Sequence, residues 1–422
     1  MNDTKENQKF GLNKCVRQLV ENLWITETAA KYAVTILATI IGINVDFATD
    51  EQVSQEQAYS LREDSTKNFF GKIFTKEIAG RIKSEDEMCS VLNEYVAIGY
   101  KAFAANVNIK QLELPTNINV IYPKAFLNCI HLCRITLPEE LKNIGTCAFE
   151  GCSKLEKIDI IDGFNYKVID GVLIDKMNKR ALRVENDTSK TVVKIANGVS
   201  IICKKAFERS PVKCIVIPMS VKQIEENAFF LTQHLERFEV DVRNSNFKGI
   251  DGVLHNKKES ILVRYPQGKK DVGYYLEDTV VEIGTQAFSC VYAIQAVTFT
   301  GSLKKIGNKA FEYCMNLENL VLPGNVEIIG DRAFQYCEKM RSIMLSKSIQ
   351  EIGDCAFFNC VSLETISIPK SVSKIGNLAF ANCYNLKRII IQENVSFVGD
   401  GAFVGCKDVE IHIKNNSYME TY

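Results

Sequence analysis

The chain has 422 residues, 46% hydrophobic and 24% charged, a composition that excludes a disordered protein. Lysine plus arginine and aspartate plus glutamate both number 51, so no net field attracts nucleic acid or an anionic membrane. The longest uncharged apolar run, residues 32–45, is shorter than the ~20 residues that span a bilayer, so no membrane span is expected.

From the N-terminus, the polar segment Met1–Glu6 leads into Phe10 with no apolar signal core or cleavage site. The expected location is cytoplasmic, with the cell surface or secretion by a non-standard route as the alternative. Leu12, Val16, Leu19, Val20 and Leu23 fall at helical spacing, as do Ala33, Ile36, Leu37, Ile40 and Ile41. Phe69, Phe70, Ile73, Phe74, Ile78 and Ile82 predict a third helix, between capping boxes at Thr49–Gln52 and Ser84–Glu87. Residues 1–92 therefore read as a small all-helical domain of about four helices.

From Tyr95 on, one pattern takes over. An Ala-Phe pair ends at Phe103, Phe126, Phe149, Phe207, Phe229, Phe288, Phe311, Phe334, Phe357, Phe380 and Phe403, at intervals of 22 or 23 residues except for two of 58 and 59. A fixed period in the twenties marks a solenoid, in which a coil too small to bury its own apolar edge stacks on the next at ~4.8 Å. A representative coil runs Phe357, Cys360, Leu363, Ile366, Ile368, Pro369, Val372, Ile375, Gly376. It predicts a short alternating strand, a second extended piece around Val372–Ile375, and a bend built from Ala-Phe-x-x-Cys. Stacking in register places each Phe over the last. The glycine after the second strand, at 145, 284, 307, 330, 353, 376 and 399, suits either a positive φ or a close backbone approach.

The two long intervals share Ile169-Asp170-Gly171-Val172-Leu173 and Ile250-Asp251-Gly252-Val253-Leu254, each followed by a polar turn and another apolar run. They predict β-hairpin inserts at about 162–186 and 244–268, with Asp170 and Asp251 as turn formers. The fold class expected is α+β: the helical domain 1–92, then a solenoid over 93–422 of roughly 13 coils with the two hairpins.

Ala310-Phe311-Glu312-Tyr313-Cys314 running into Leu317-x-x-Leu320-x-Leu322-Pro323 resembles the BspA-type leucine-rich repeats, as do the Asp-Gly-Val-Leu hairpins. The resemblance covers residues 93 to about 414 and implies a non-catalytic binding module, in many relatives a surface or secreted adhesin. Residues 1–92 lie outside that pattern, which keeps open an intracellular scaffold or effector whose N-terminal domain dimerises or docks.

Fifteen cysteines, an odd number, include no CxxC pair, and the four histidines, His131, His234, His255 and His412, are scattered. The column Cys129, Cys152, Cys314, Cys337, Cys360, Cys383, Cys406 has two readings, a metal or redox ladder, or small apolar residues filling a tight corner; the second is the ordinary one. Stacked thiols lie slightly beyond disulfide reach. No catalytic triad, metalloprotease, P-loop or dinucleotide motif occurs, and paired acids such as Glu139-Glu140 and Glu225-Glu226 sit at turns. No enzyme activity, cofactor or metal site is expected; an unrecognised active site in residues 1–92 is the second alternative.

Partner recognition then falls to the outward strand positions. One column runs Glu113, Thr136, Asp159, then Thr298, Val321, Met344, Ser367, Ile390; beside it run Gln111, Arg134, Lys157, then Asn319, Ser342, Thr365, Arg388. Val321, Met344 and Ile390 are apolar where solvent is expected, and with Arg388, Tyr313 and Tyr336 they are the candidate contacts for a protein partner, against the ordinary explanation of isolated surface hydrophobes or aromatics packing over the bend.

Overall fold

A computed structural model describes residues 72–414 apart from 83, 84, 161, 162, 393 and 408. The described residues fall into two compact units that divide between Asp271 and Val272. Both are β-solenoid, about 14 turns in all with nearly no helix.

In the unit beginning at Val272, each coil from Asn319 on contributes one strand to each of two stacks of parallel strands. Asn319–Val321, Ser342–Met344, Thr365–Ile368, Arg388–Gln392 and Glu410–Lys414 stack in order in one. The two-residue strands Glu282–Ile283, Lys305–Ile306, Ile328–Ile329, Glu351–Ile352, Lys374–Ile375 and Phe397–Val398 stack in the other. Leu363, Ile366, Ile368, Val372 and Ile375 all point inward and are buried. The phenylalanine column holds: the rings from Phe288 to Phe403 stack nearly parallel with centroids 4.9–5.6 Å apart.

The bend joins coils through their backbones. The amides of Lys309, Phe311 and Tyr313 donate to the carbonyls of Asp331, Ala333 and Gln335 at 2.8, 2.7 and 2.8 Å. To aim alternate amides this way, the residues two before and two after each Phe take left-handed backbone: φ is 56° at Lys309, 61° at Tyr313, 56° at Arg332 and 60° at Tyr336. Non-glycine residues in that region cost on the order of 1 kcal/mol each, offset here by hydrogen bonds worth a similar amount.

The glycine column has the other of its two explanations. A Cβ on Gly353 would lie 2.6 Å from the Asp331 nitrogen and 2.6 Å from the Gly330 carbonyl carbon. Coils approach backbone to backbone there, and the positive φ falls elsewhere. Beside this column runs a ladder that the periodicity did not announce. Asn308, Asp331, Asp354 and Asn377 each accept, on a side-chain oxygen, the amide of the equivalent residue one coil on, at 2.8–3.0 Å.

In the unit ending at Asp271, Ile73–Phe74, Ala97–Ile98, Val120–Ile121 and Asn143–Ile144 form one parallel sheet. This corrects the third expected helix. Ile73 and Phe74 pair with Ala97 and Ile98, and the Phe74 ring stacks 4.9 Å from Phe103. Pairing to a sheet edge and an aromatic column outweighs local helical spacing, and the stacked sheet reaches back into residues assigned to the helical domain. The only helices among the described residues are Lys76–Ala79 and Glu85–Leu92, the latter following the capping signal at Ser84. The α+β class is therefore not supported over these residues. The first two expected helices and the Thr49 box lie outside them.

Both inserts contain the expected hairpin and one strand more. Tyr166–Ile169, Val172–Asp175 and Arg180–Val184 form an antiparallel meander, as do Phe247–Ile250, Val253–Asn256 and Ile261–Arg264. Asp170-Gly171 and Asp251-Gly252 turn with φ of 52° and 77°, and 48° and 79°, the doubly left-handed turn that suits a tight hairpin. The first insert also caps the sheets it interrupts. The Tyr166 hydroxyl accepts the Ile144 amide at 2.9 Å, and the buried Glu185 carboxylate accepts the Ile158 amide at 3.0 Å, with Lys157 and Lys190 each 3.5 Å away.

Phe334→Ala is expected to destabilise by roughly 3–5 kcal/mol, read from the denaturant midpoint; an unchanged midpoint removes the ladder from the account. Gly353→Ala is expected to lower the midpoint by about 1–3 kcal/mol. Gly324→Ala, where an added Cβ meets nothing within 4 Å, should leave it unchanged or slightly raised. Equal losses at both positions would contradict the close-approach explanation.

Candidate binding surface

The alternation that buries Leu320, Ile343, Ile366 and Ile389 turns their neighbours outward, and the stacking register makes columns of them. Val321 faces solvent opposite Met344, at 63% and 64% exposure. Ser367 lies opposite Ile390, and Ile390 opposite His412. Ile390 is half-buried, so it offers less contact area than its residue type suggested. Arg388 is exposed, its Nε 3.9 Å from Glu410 across the next strand. The neighbouring column, Asn319, Ser342, Thr365, Arg388, is paired in the expected order, with Ser342 donating to Asn319 at 2.7 Å.

Tyr275 belongs to the same face and was missed from sequence. Gly273–Tyr275 pairs parallel with Ala296–Thr298, which puts Tyr275 opposite Thr298 at 75% exposure. The signal was its position 23 residues before Thr298, hidden because the second insert breaks the count just upstream. The outward positions Gly273, Tyr275, Ala296, Thr298, Asn319, Val321, Ser342, Met344, Thr365 and Ser367 thus carry no charge.

The other unit presents a different face. Gln111, Arg134 and Lys157 stack in one column and Glu113, Thr136 and Asp159 in the next. Arg134 reaches Asp159 at 2.6 Å, and on the third outward strand after the first insert Arg237 reaches Glu239 at 2.9 Å. Those charges neutralise one another on the surface, where such pairs add little to stability.

Tyr313 and Tyr336 sit on the bend and not on the sheet face. Their rings stack 4.6 Å apart at 4°, and Tyr336 meets Phe358 edge-on at 5.7 Å beside the buried cluster of Cys355, Phe358, Leu378 and Ala381. Both are half-buried, and burial pushes both hydroxyls above the usual tyrosine range. The packing explanation accounts for them.

The cysteine column fills the inner corner, and each thiol also has a partner there. Sγ of Cys314, Cys337, Cys360, Cys383 and Cys406 lies 3.1–3.2 Å from the carbonyl oxygen of the Phe one coil back, to which it donates. No disulfide joins the cysteines from Cys129 to Cys406. Burial raises the Cys337 thiol and pushes Cys360 up to about 12, so neither supplies a thiolate. Asp170 turns the first hairpin and accepts the Lys194 amide at 2.7 Å. No helix among the described residues is long and apolar enough to cross a membrane.

Comparison with solved structures places this architecture. A leucine-rich repeat protein from Eubacterium ventriosum is 19% identical, with 77% of this chain and 91% of that one covered and a TM-score of 0.54. A leucine-rich cell surface protein from Faecalibacterium prausnitzii is 24% identical over 76% and 84% of the two chains, with a TM-score of 0.49. The pneumococcal vaccine antigen PcpA is 22% identical over 77% and 75%, with a TM-score of 0.43. No curated protein matches significantly. The BspA-type leucine-rich repeat region matches residues 90–170, 184–258, 273–387 and 304–422, and the chain belongs to that family.

Proposed function

We propose that the chain is a non-catalytic binding module that recognises a protein partner through the outward sheet face from Gly273 to Arg388. The observation that carries this reading is the uncharged strip with Tyr275, Val321 and Met344 standing out of it, in contrast to the unit ending at Asp271, where outward charges such as Arg134 with Asp159 and Arg237 with Glu239 pair. Aromatic and Met side chains are enriched at protein interfaces, and charged residues are depleted from their centres. Arg388 supplies a charge at one end of the strip, and Ile390 extends its apolar part. Tyr313 and Tyr336, on the bend, are secondary contacts at most. An adhesin-like role is the form of this function that membership in the family suggests.

A second reading, an intracellular scaffold, is favoured by thirteen cysteines between Cys129 and Cys406 with no disulfide among them, a pattern typical of reducing compartments. Residues 1–92 would then provide the dimerising or docking module. Fractionating cells and alkylating thiols before lysis separates the two: a cell-surface chain with oxidised cysteines would remove the scaffold reading.

Val321→Asp with Met344→Asp is expected to weaken capture of the partner by on the order of tenfold or more, with the melting temperature held. Cross-linked partners recovered by the wild type and by an Arg134→Asp control should be missing from this double variant. Recovery of the same partners by all three proteins would place the contact elsewhere.

A further inference from the structure

The interruption at the first insert leaves the backbone of one coil open. In the coil before it, the amides of Lys124, Phe126 and Asn128 donate forward to the carbonyls of Thr146, Ala148 and Glu150 at 3.2, 2.9 and 2.7 Å. One coil on, the same three amides belong to Cys147, Phe149 and Gly151, and the chain that would accept them departs into the insert. The Gly151 amide is taken by a carboxylate, Glu208 Oε2, at 2.6 Å. The amides of Cys147 and Phe149 have no acceptor among the described residues.

Those two residues and Glu150 form one wall of a cleft whose other side is lined by Arg180, Arg183, Lys204 and Lys205, four cations against one carboxylate. The Arg183 side chain is 3% exposed. Its Nη2 donates to the Cys152 carbonyl at 2.9 Å, its Nη1 lies 3.8 Å from Glu208, and its Nε has no partner. Lys205 is held by Glu208 and Glu150, at 3.2 and 3.7 Å, and lies over the Phe230 ring. Arg180 Nε donates to Cys203 Sγ at 3.2 Å. Lys204 is exposed, its amide bound to Glu225 at 2.8 Å and its ammonium without an ion pair among the described residues.

We propose that this cleft binds a small oxyanion, a carboxylate or phosphate group, on the open amides of Cys147 and Phe149 beside Arg180, Arg183 and Lys204. Cys147, with φ of 55°, starts a left-handed step; the Ala148 amide turns back to the Gly145 carbonyl at 3.2 Å, and the alternate amides of Cys147 and Phe149 on either side of it form a concave anion seat. The protein closes the neighbouring broken edges with carboxylates of its own, Glu208 on Gly151 and Glu185 on Ile158. An external oxyanion completes the row in the same chemistry, and a buried guanidinium nitrogen with an unused donor adds a charge-assisted bond.

Alkylation of Cys147 reads the site directly, because its half-buried thiol lines the cleft, whereas the half-buried Cys133 lies outside it. The full chain is treated with iodoacetamide in inorganic phosphate, acetate or chloride at matched ionic strength, and peptide mass spectrometry follows both cysteines. Phosphate or acetate should slow Cys147 relative to Cys133, on the order of tenfold at ten times the dissociation constant, and saturably. Protection by phosphate alone identifies a phosphoryl ligand, protection by acetate alone a carboxylate, and protection by both a seat that takes either oxyanion. Lys204→Gln with Arg180→Gln should remove the protection while the protein still melts cooperatively. Equal rates in all three anions, which is the result if water fills the cleft, or protection that survives both substitutions, overturns the proposal.

Discussion

The described residues of each unit answer to one constraint: each coil must lie in register on its neighbour. No coil can bury its own apolar edge or satisfy its own bend amides, so both needs are met by the next copy along. The amides of Lys309, Phe311 and Tyr313 reach one coil forward, the thiol of Cys337 reaches one coil back, and the Phe311 ring rests between Phe288 and Phe334. A period held at 23 residues keeps all three sets aligned at once, whereas a one-residue slip in a strand would turn its core side chains to solvent.

The same constraint decides which repeated positions are structural. Phe, Cys and Gly recur because the coil interior has one shape: an aromatic column, a corner with room for a thiol against a carbonyl, and a contact that leaves no space for a Cβ. The Asn308–Asn377 ladder is structural too, though it lies on the surface, since each side chain satisfies an amide of the following coil. Residues that vary from coil to coil are free of these duties, and the outward columns, with Tyr275, Val321 and Met344, are of this kind.

Where the stacking is interrupted, its unmet requirements become visible. Tyr166 and Glu185 cap two sheet edges at the first insert, and Glu208 caps part of the bend. The buried charges of this region follow from broken ladders, since an unpaired amide and an uncompensated guanidinium are both costly away from water. Arg183 lines the same cleft as Cys147 and Phe149, whose two amides have no acceptor among the described residues.

The amino-acid sequence by itself determined the period, the inward residues, the stacked phenylalanines, the two Asp-Gly hairpins and the family, because each recurs at fixed spacing and side-chain periodicity reports directly on facing. It also placed Val321 and Met344 on an exposed column. Tertiary structure alone decided that Ile73–Phe74 is a strand, because pairing with Ala97–Ile98 is a contact that local spacing does not encode. It alone put Tyr275 opposite Thr298 across a break in the count, and Tyr313 and Tyr336 in packing over the bend. The cleft beside Cys147 was likewise illegible, since it arises from carbonyls that an interrupted stack fails to supply. Periodicity records what each coil shares with the next; what happens where that sharing stops depends on which distant residues fold into the gap.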